Sequence, residues 1–164
     1  MKKGEIYEGI IEKVDFPNKG YVCIDDQKVL IKNGIPGQKV RFMIQKKRSG
    51  RAQGRILEVL EKSPFETRDA VCNNFPACGG CMYQTMSYEN QLVMKETQIR
   101  ELLEEALVRG GQVDKNGQAD FDWEGIHGSP IEFGYRNKME FSFGDEYKDG
   151  PLSLGLHKKG STYD

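Results

Sequence analysis

The run VCNNFPACGGCMYQ, residues 71–84, holds three of the chain's four cysteines, Cys72, Cys78 and Cys81, spaced Cys-x5-Cys-x2-Cys with Gly79-Gly80 in the shorter gap. A thiolate ligand needs a backbone that bends tightly around its site, and glycine permits that approach. Three soft sulfurs suit zinc or an iron-sulfur cluster. Zinc sites usually add a second Cys pair or two histidines, whereas His127 and His157 lie far from the run and are set aside as ligands. Structural cysteines without a metal are the remaining reading, disfavoured by three thiols in ten residues. Cys23, between Val22 and Ile24, reads as a small buried hydrophobe.

Before the run, short alternating segments follow one another at 5–14, 20–24, 28–31, 39–45 and 51–60, separated by Pro-, Gly-, Asn- and Asp-rich turns. Val40, Phe42 and Ile44 alternate with Arg41, Met43 and Gln45, a strand with one face in a core. Five short strands predict a small OB-like barrel over residues 1–62, followed by a cysteine loop at 63–86. Residues 87–164 are expected to form a helix and a β-hairpin, the start of a β-rich central domain, within a mostly β, α+β chain.

A formal net charge of −1 over 164 residues hides a local bias. Lys39, Arg41, Lys46, Lys47, Arg48, Arg51 and Arg55 fall in seventeen positions that contain no acid. The loop 46–51 is predicted as a cationic hairpin tip that meets nucleic-acid phosphates, against the blander reading of a solvated loop. No segment approaches the ~18 apolar residues of a membrane span and no signal-peptide core is present, so the expectation is a cytoplasmic protein with no membrane partner. A reducing compartment favours metal or redox cysteines over disulfides.

After Ser87 as N-cap, a helix is predicted from about Tyr88 to Arg109. Leu92, Ile99, Leu102, Leu103, Ala106 and Leu107 form its core stripe, Glu96 and Arg100 an i,i+4 pair, and Gly110-Gly111 the stop. Residues 111–128, with the lone Trp123, read as a loop. Met139, Phe141 and Phe143 alternate with Lys138, Glu140 and Ser142, and Leu152, Leu154 and Leu156 make a return strand, with an apolar face left exposed. Tyr135, Arg136 and Lys138 are residue types that stack on bases and hold phosphates.

IPGQKVRF at 35–42 and Ser63-Pro64 resemble the Pro-Gly turn and exit of a TRAM domain. The spacing Cys72-x5-Cys78-Gly79-Gly80-Cys81-x2-Gln84, with Gln91 and Lys95 beyond, resembles the motif of TRAM-bearing 23S ribosomal RNA (uracil-5-)-methyltransferases. Methylthiotransferases share cluster and TRAM domain, but their C-x3-C-x2-C spacing and domain order differ. The resemblance implies that Cys72, Cys78 and Cys81 ligate a 4Fe-4S cluster together with a later cysteine. It also implies that Tyr135-Arg136-Asn137-Lys138 borders an RNA-binding domain, and that 154–164 precedes the fourth ligand. A monomeric parent enzyme is expected to use S-adenosylmethionine, a cysteine adding to uracil C6 and a carboxylate base on a flipped base. Those groups belong to a Rossmann-like C-terminal domain absent here, so no catalytic residue is assigned and no methyl transfer is expected from these residues alone. The competing expectations are a zinc-binding, stand-alone RNA adaptor and, more remotely, an electron-transfer module.

Overall fold

Val40, Phe42 and Ile44 are all completely buried in the computed structural model, which describes residues 1–48, 50–145 and 147–159. Their strand belongs to a six-stranded sheet of β1 (Ile6–Ile10), β2 (Lys13–Asp15), β3 (Lys19–Ile24), β4 (Gln27–Lys32), β5 (Lys39–Arg48) and β6 (Arg51–Glu61), in the order β1-β5-β6-β4-β3-β2. Every pairing is antiparallel except β4 with β6. The two edge strands, β1 and β2, are consecutive in the chain and only Ile11 and Glu12 separate them. The sheet therefore curls until its edges come within that two-residue step. Inside the curl lie Ile11, Val14, Val22, Val29, Ile31, Val40, Phe42, Ile44 and Ala52.

The single run expected over 5–14 is thus two strands. Its break has a backbone cause: the Ile11 N–H donates to the Gln38 carbonyl (2.9 Å) and the Ile11 carbonyl accepts from Gly37 (2.7 Å). These bonds leave the β1 ladder and turn the Ile11 side chain into the core, where none of it is exposed. A second correction concerns Cys23, which stands on the exposed side of β3 rather than in the core.

Helix α1 (Tyr88–Arg109) follows Ser87 and ends where Gly111 takes a left-handed φ of 76°, with the Gln112 N–H bonded back to Leu107. It falls in one compact unit with the sheet. Its buried residues are Met94 and Gln98, whereas Leu102 and Leu103 are 45% and 41% exposed, so the leucine stripe is not the core face. Polar ties explain the choice of face. The Gln98 side-chain amide donates to the Val14 carbonyl (2.7 Å), and Lys13 pairs with Glu101 (2.8 Å). The expected Glu96–Arg100 pair does not form: Glu96 accepts from the Trp123 indole, and Arg100 lies over that ring and pairs with Glu104. Gln98→Ala should cost about 1–3 kcal/mol by leaving a buried carbonyl unpaired. Urea titration followed by fluorescence of Trp123, the chain's one tryptophan, measures it.

The second unit joins residues 66–87 to the described residues from Pro130 onward. Its regular structure is one short hairpin, β7 (Ser142–Gly144) with β8 (Ser153–Gly155), far shorter than the alternation from Lys138 to Leu156 predicts. Phe143 faces Leu154 across it, and both are largely exposed. With little to pack against, side-chain alternation extends no ladder here.

Candidate functional site

The cysteine loop is shaped by a second strand of chain laid across it. The Gly79 N–H donates to the His157 carbonyl (2.8 Å), the Lys159 N–H donates to Ala77 (2.9 Å), and Cys78 bridges Lys158 in antiparallel fashion. A Cβ on Gly79 would lie 2.7 Å from the His157 carbonyl oxygen, so only glycine admits this crossing. The Gly80 N–H in turn points at the Cys78 sulfur (3.3 Å).

Lys159 brings a charge to the same place. Burial holds its ammonium below the ordinary lysine range, and the Cys81 and Cys78 sulfurs pull the other way. Its Nζ also stands 4.5 Å from the centre of the Phe75 ring. Cys78 and Cys81 therefore share a cationic neighbour. The Tyr83 hydroxyl is pushed up to about 12 by burial.

Cys72 is placed differently. Its backbone N–H donates to the side-chain oxygen of buried Gln84 (3.0 Å), while the Gln84 carbonyl accepts from Arg68 Nε (3.0 Å). Arg68 is itself held by Glu132 (2.7 Å) and lies against Phe133. Cys72 and Cys81 are exposed and Cys78 is half-buried. The three expected ligands thus occur on one loop, yet the described residues contain no group of three or more His, Cys, Asp or Glu positioned to hold a metal. Gln84 carried no role in the sequence beyond its place in the motif; its burial beside a backbone N–H reveals one. Gln84→Ala should speed hydrogen exchange at the Cys72 amide about tenfold, the worth of one ordinary hydrogen bond. Gln84→Glu, which keeps an acceptor, should leave it near wild type.

The basic residues separate into two groups. Lys39 pairs with Glu61 (2.9 Å), and Arg41 pairs with Glu8 (2.9 Å) and Glu58 (2.7 Å), so that end of β5 is neutralised. Lys46, Arg48, Arg51 and Arg55 are exposed and have no ion pair among the described residues, and the Lys47 ammonium donates to the Met1 carbonyl (3.1 Å). The expected loop 46–51 is mostly strand: β5 runs to Arg48 and β6 starts at Arg51, with Gly50 at φ 76° in the turn and Ser49 outside the described residues. Arg48 directly faces Arg51, an unfavourable like-charge pairing without an anion to share. Lys2 and Lys3, passed over in the sequence, line a shallow depression with Lys46, Lys47 and Arg48. The β1–β5 register brings them there, and no local signal announces it.

Arg136 and Lys138 do not stand on a strand. Both are exposed in irregular chain before β7, and Lys138 pairs with Glu140 (2.7 Å). Of the segment 154–164, residues 160–164 lie outside the described residues, as does Glu146 of the hairpin loop. Among the described residues no helix is long and apolar enough to cross a membrane.

No family model matches this chain. Among curated proteins it is 44% identical, over all 164 residues, to an uncharacterised RNA methyltransferase of Caldanaerobacter subterraneus subsp. tengcongensis, covering 34% of that protein. It is also 44% identical over 163 residues to one of Clostridium tetani and 38% identical over 163 residues to one of Clostridium acetobutylicum, covering 33% of each. From end to end, then, this chain is similar to about a third of the length of proteins that carry the name RNA methyltransferase.

Proposed function

We propose that this chain is the N-terminal, RNA-binding and cysteine-cluster portion of an S-adenosylmethionine-dependent RNA uracil-C5 methyltransferase that acts on ribosomal RNA in the cytoplasm. The observation that carries the reading is similarity over the whole chain to a third of proteins named RNA methyltransferases. Methyl-donor binding and the nucleophile then belong to the length these relatives have in addition.

A sheet whose two edge strands are consecutive, with one parallel pairing in an otherwise antiparallel order, supports the TRAM-like OB barrel. Its unpaired cations Lys46, Arg48, Arg51 and Arg55, with Lys47, supply phosphate contacts; Arg136 is a further contact in the second unit, and Lys138 joins it on release from Glu140. Cys72, Cys78 and Cys81 supply three of the four thiolates that a 4Fe-4S cluster takes, the fourth coming from the remaining length. The donors fit such a group in kind: three sulfurs on one loop, an N–H directed at one of them, and an ammonium beside two. When bound, the cluster would supply a fixed crosslink that holds the loop and its RNA-facing surroundings in one arrangement.

The test uses the complete gene product purified anaerobically beside this 164-residue piece. About four irons per chain in the former, with methyl transfer from S-adenosylmethionine to uridine C5 of ribosomal RNA, is the expected result. Stoichiometric zinc in both and no methyl transfer would replace it with the zinc-binding RNA adaptor.

A further inference from the structure

The fourteen residues 71–84, which carry Cys72, Cys78 and Cys81, include no charged side chain. Any charge close to their sulfurs is brought by other parts of the chain, and the segment laid across the loop brings Lys158 and Lys159. Neighbouring residues of an extended segment point to opposite sides. Lys158 is exposed, whereas Lys159 is half-buried and turns toward the loop, its Nζ 4.5 Å from the centre of the Phe75 ring. The backbone fixes that direction. The Lys159 N–H donates to the Ala77 carbonyl and the His157 carbonyl accepts from Gly79, so the residues on both sides of Cys78 are tied to the crossing segment.

In this position the ammonium feels the Cys81 and Cys78 sulfurs, and no carboxylate of the described residues pairs with it. A half-buried cation without a carboxylate is costly unless another anion lies against it. Phe75 offers only the face of a ring, a weaker partner. The sulfurs are the remaining groups beside it that can carry negative charge. A cluster held by four thiolates is an anion, and reduction adds one electron to it. A fixed cation against two of those sulfurs stabilises the reduced form more than the oxidised one. Cluster potentials follow net charge and hydrogen bonds to the sulfurs. The Gly80 N–H, 3.3 Å from the Cys78 sulfur, supplies a bond, and Lys159 supplies the charge.

We propose that Lys159 is the outer cation of the iron-sulfur group that Cys72, Cys78 and Cys81 help to hold, and that its charge raises the reduction potential of that group. The inference rests on the 4Fe-4S reading above and adds to it a positioning residue from outside the cysteine motif.

The complete gene product is purified anaerobically as wild type, Lys159→Met and Lys159→Arg. Each is titrated with dithionite while the signal of the reduced cluster is followed by electron paramagnetic resonance. Methionine keeps an apolar contact with Phe75 and removes the charge; arginine keeps the charge. A unit charge a few ångströms away in a partly buried place shifts an equilibrium by roughly tenfold. Lys159→Met should therefore lower the potential by about 59 mV, the tenfold step of a one-electron couple. Lys159→Arg should stay within about threefold of wild type, or about 28 mV. A merely structural role would change iron content without moving the potential of the clusters that remain. An unchanged potential in Lys159→Met, or an equal lowering in both variants, would overturn the inference. If Lys159→Met holds no iron, iron retained by Lys159→Arg supports the role of the charge. Loss of iron in both would overturn it, since the loop would then need the shape of lysine and not its charge. In all these cases a wild-type protein with about four irons per chain leaves the cluster reading intact. A wild-type protein without iron would sink that reading, and this inference with it.

Discussion

Phe42→Ala should remove about 3–5 kcal/mol from the stability of the sheet unit, much of the ~5–15 kcal/mol that a domain has in total. The Phe42 ring is completely buried at the centre of β5, stacked 6.2 Å from Tyr7. What makes the loss large is that the neighbours cannot close the gap. Gly54 lies beneath the ring, so close that a Cβ there would stand 2.7 Å from Phe42 Cδ2 and 2.8 Å from Ile31 Cδ1. Glycine has no side chain with which to fill the vacated volume, and the strands on either side are fixed by their ladders. Phe42→Leu, which keeps most of the volume, should cost about 1–2 kcal/mol. Urea denaturation read through Trp123 reports the sheet unit, because that indole packs against α1. A loss below ~1 kcal/mol for Phe42→Ala would mean that the curl is held by its edges and not by its interior.

Phe42 also illustrates what the sequence displays. Alternation of Val40, Phe42 and Ile44 gives β5 and its inward face directly, because a half-buried strand records its burial at every second residue. The bounds of α1 are equally legible, since Ser87 and Gly110-Gly111 act locally. Its buried face is not. Met94 and Gln98 are chosen by a carbonyl on β2 more than eighty residues earlier, and a leucine count carries no trace of that partner. The break at Ile11 is hidden for the same reason, being made by hydrogen bonds to Gly37 and Gln38.

The site divides along the same line. The three cysteines, the glycine pair and the cations of 46–55 are local in sequence and legible there. Lys2 and Lys3 beside the hairpin and Gln84 holding Cys72 depend on register or burial. The crossing of residues 157–159 over the cysteine loop is the least legible, since its contacts are almost wholly backbone to backbone. Backbone groups look alike in any sequence.

That crossing yields a sharp contrast between adjacent glycines. Gly79→Ala should lift residues 157–159 off the loop, whereas Gly80→Ala should be tolerated. At Gly79 the added methyl meets the His157 carbonyl oxygen at 2.7 Å, a backbone atom that is also the acceptor for the Gly79 N–H. Moving that oxygen breaks the bond, and the Lys159 bond to Ala77 shares the same two segments. At Gly80 the methyl meets Leu156 Cδ1 at 3.0 Å, the end of a side chain that can rotate away. Overpacking of the first kind costs about 1–3 kcal/mol, so hydrogen exchange at the Lys159 amide should rise about 5- to 100-fold in Gly79→Ala and stay within about threefold of wild type in Gly80→Ala. On the proposed 4Fe-4S reading of the longer protein, Gly79→Ala should also lose iron, as Cys78→Ser would, because the loop then no longer presents its sulfurs beside Lys159. Exchange that accelerates while iron is retained would show that the crossing shapes the loop without shaping the cluster. Unchanged exchange in Gly79→Ala would show that the crossing itself is not formed.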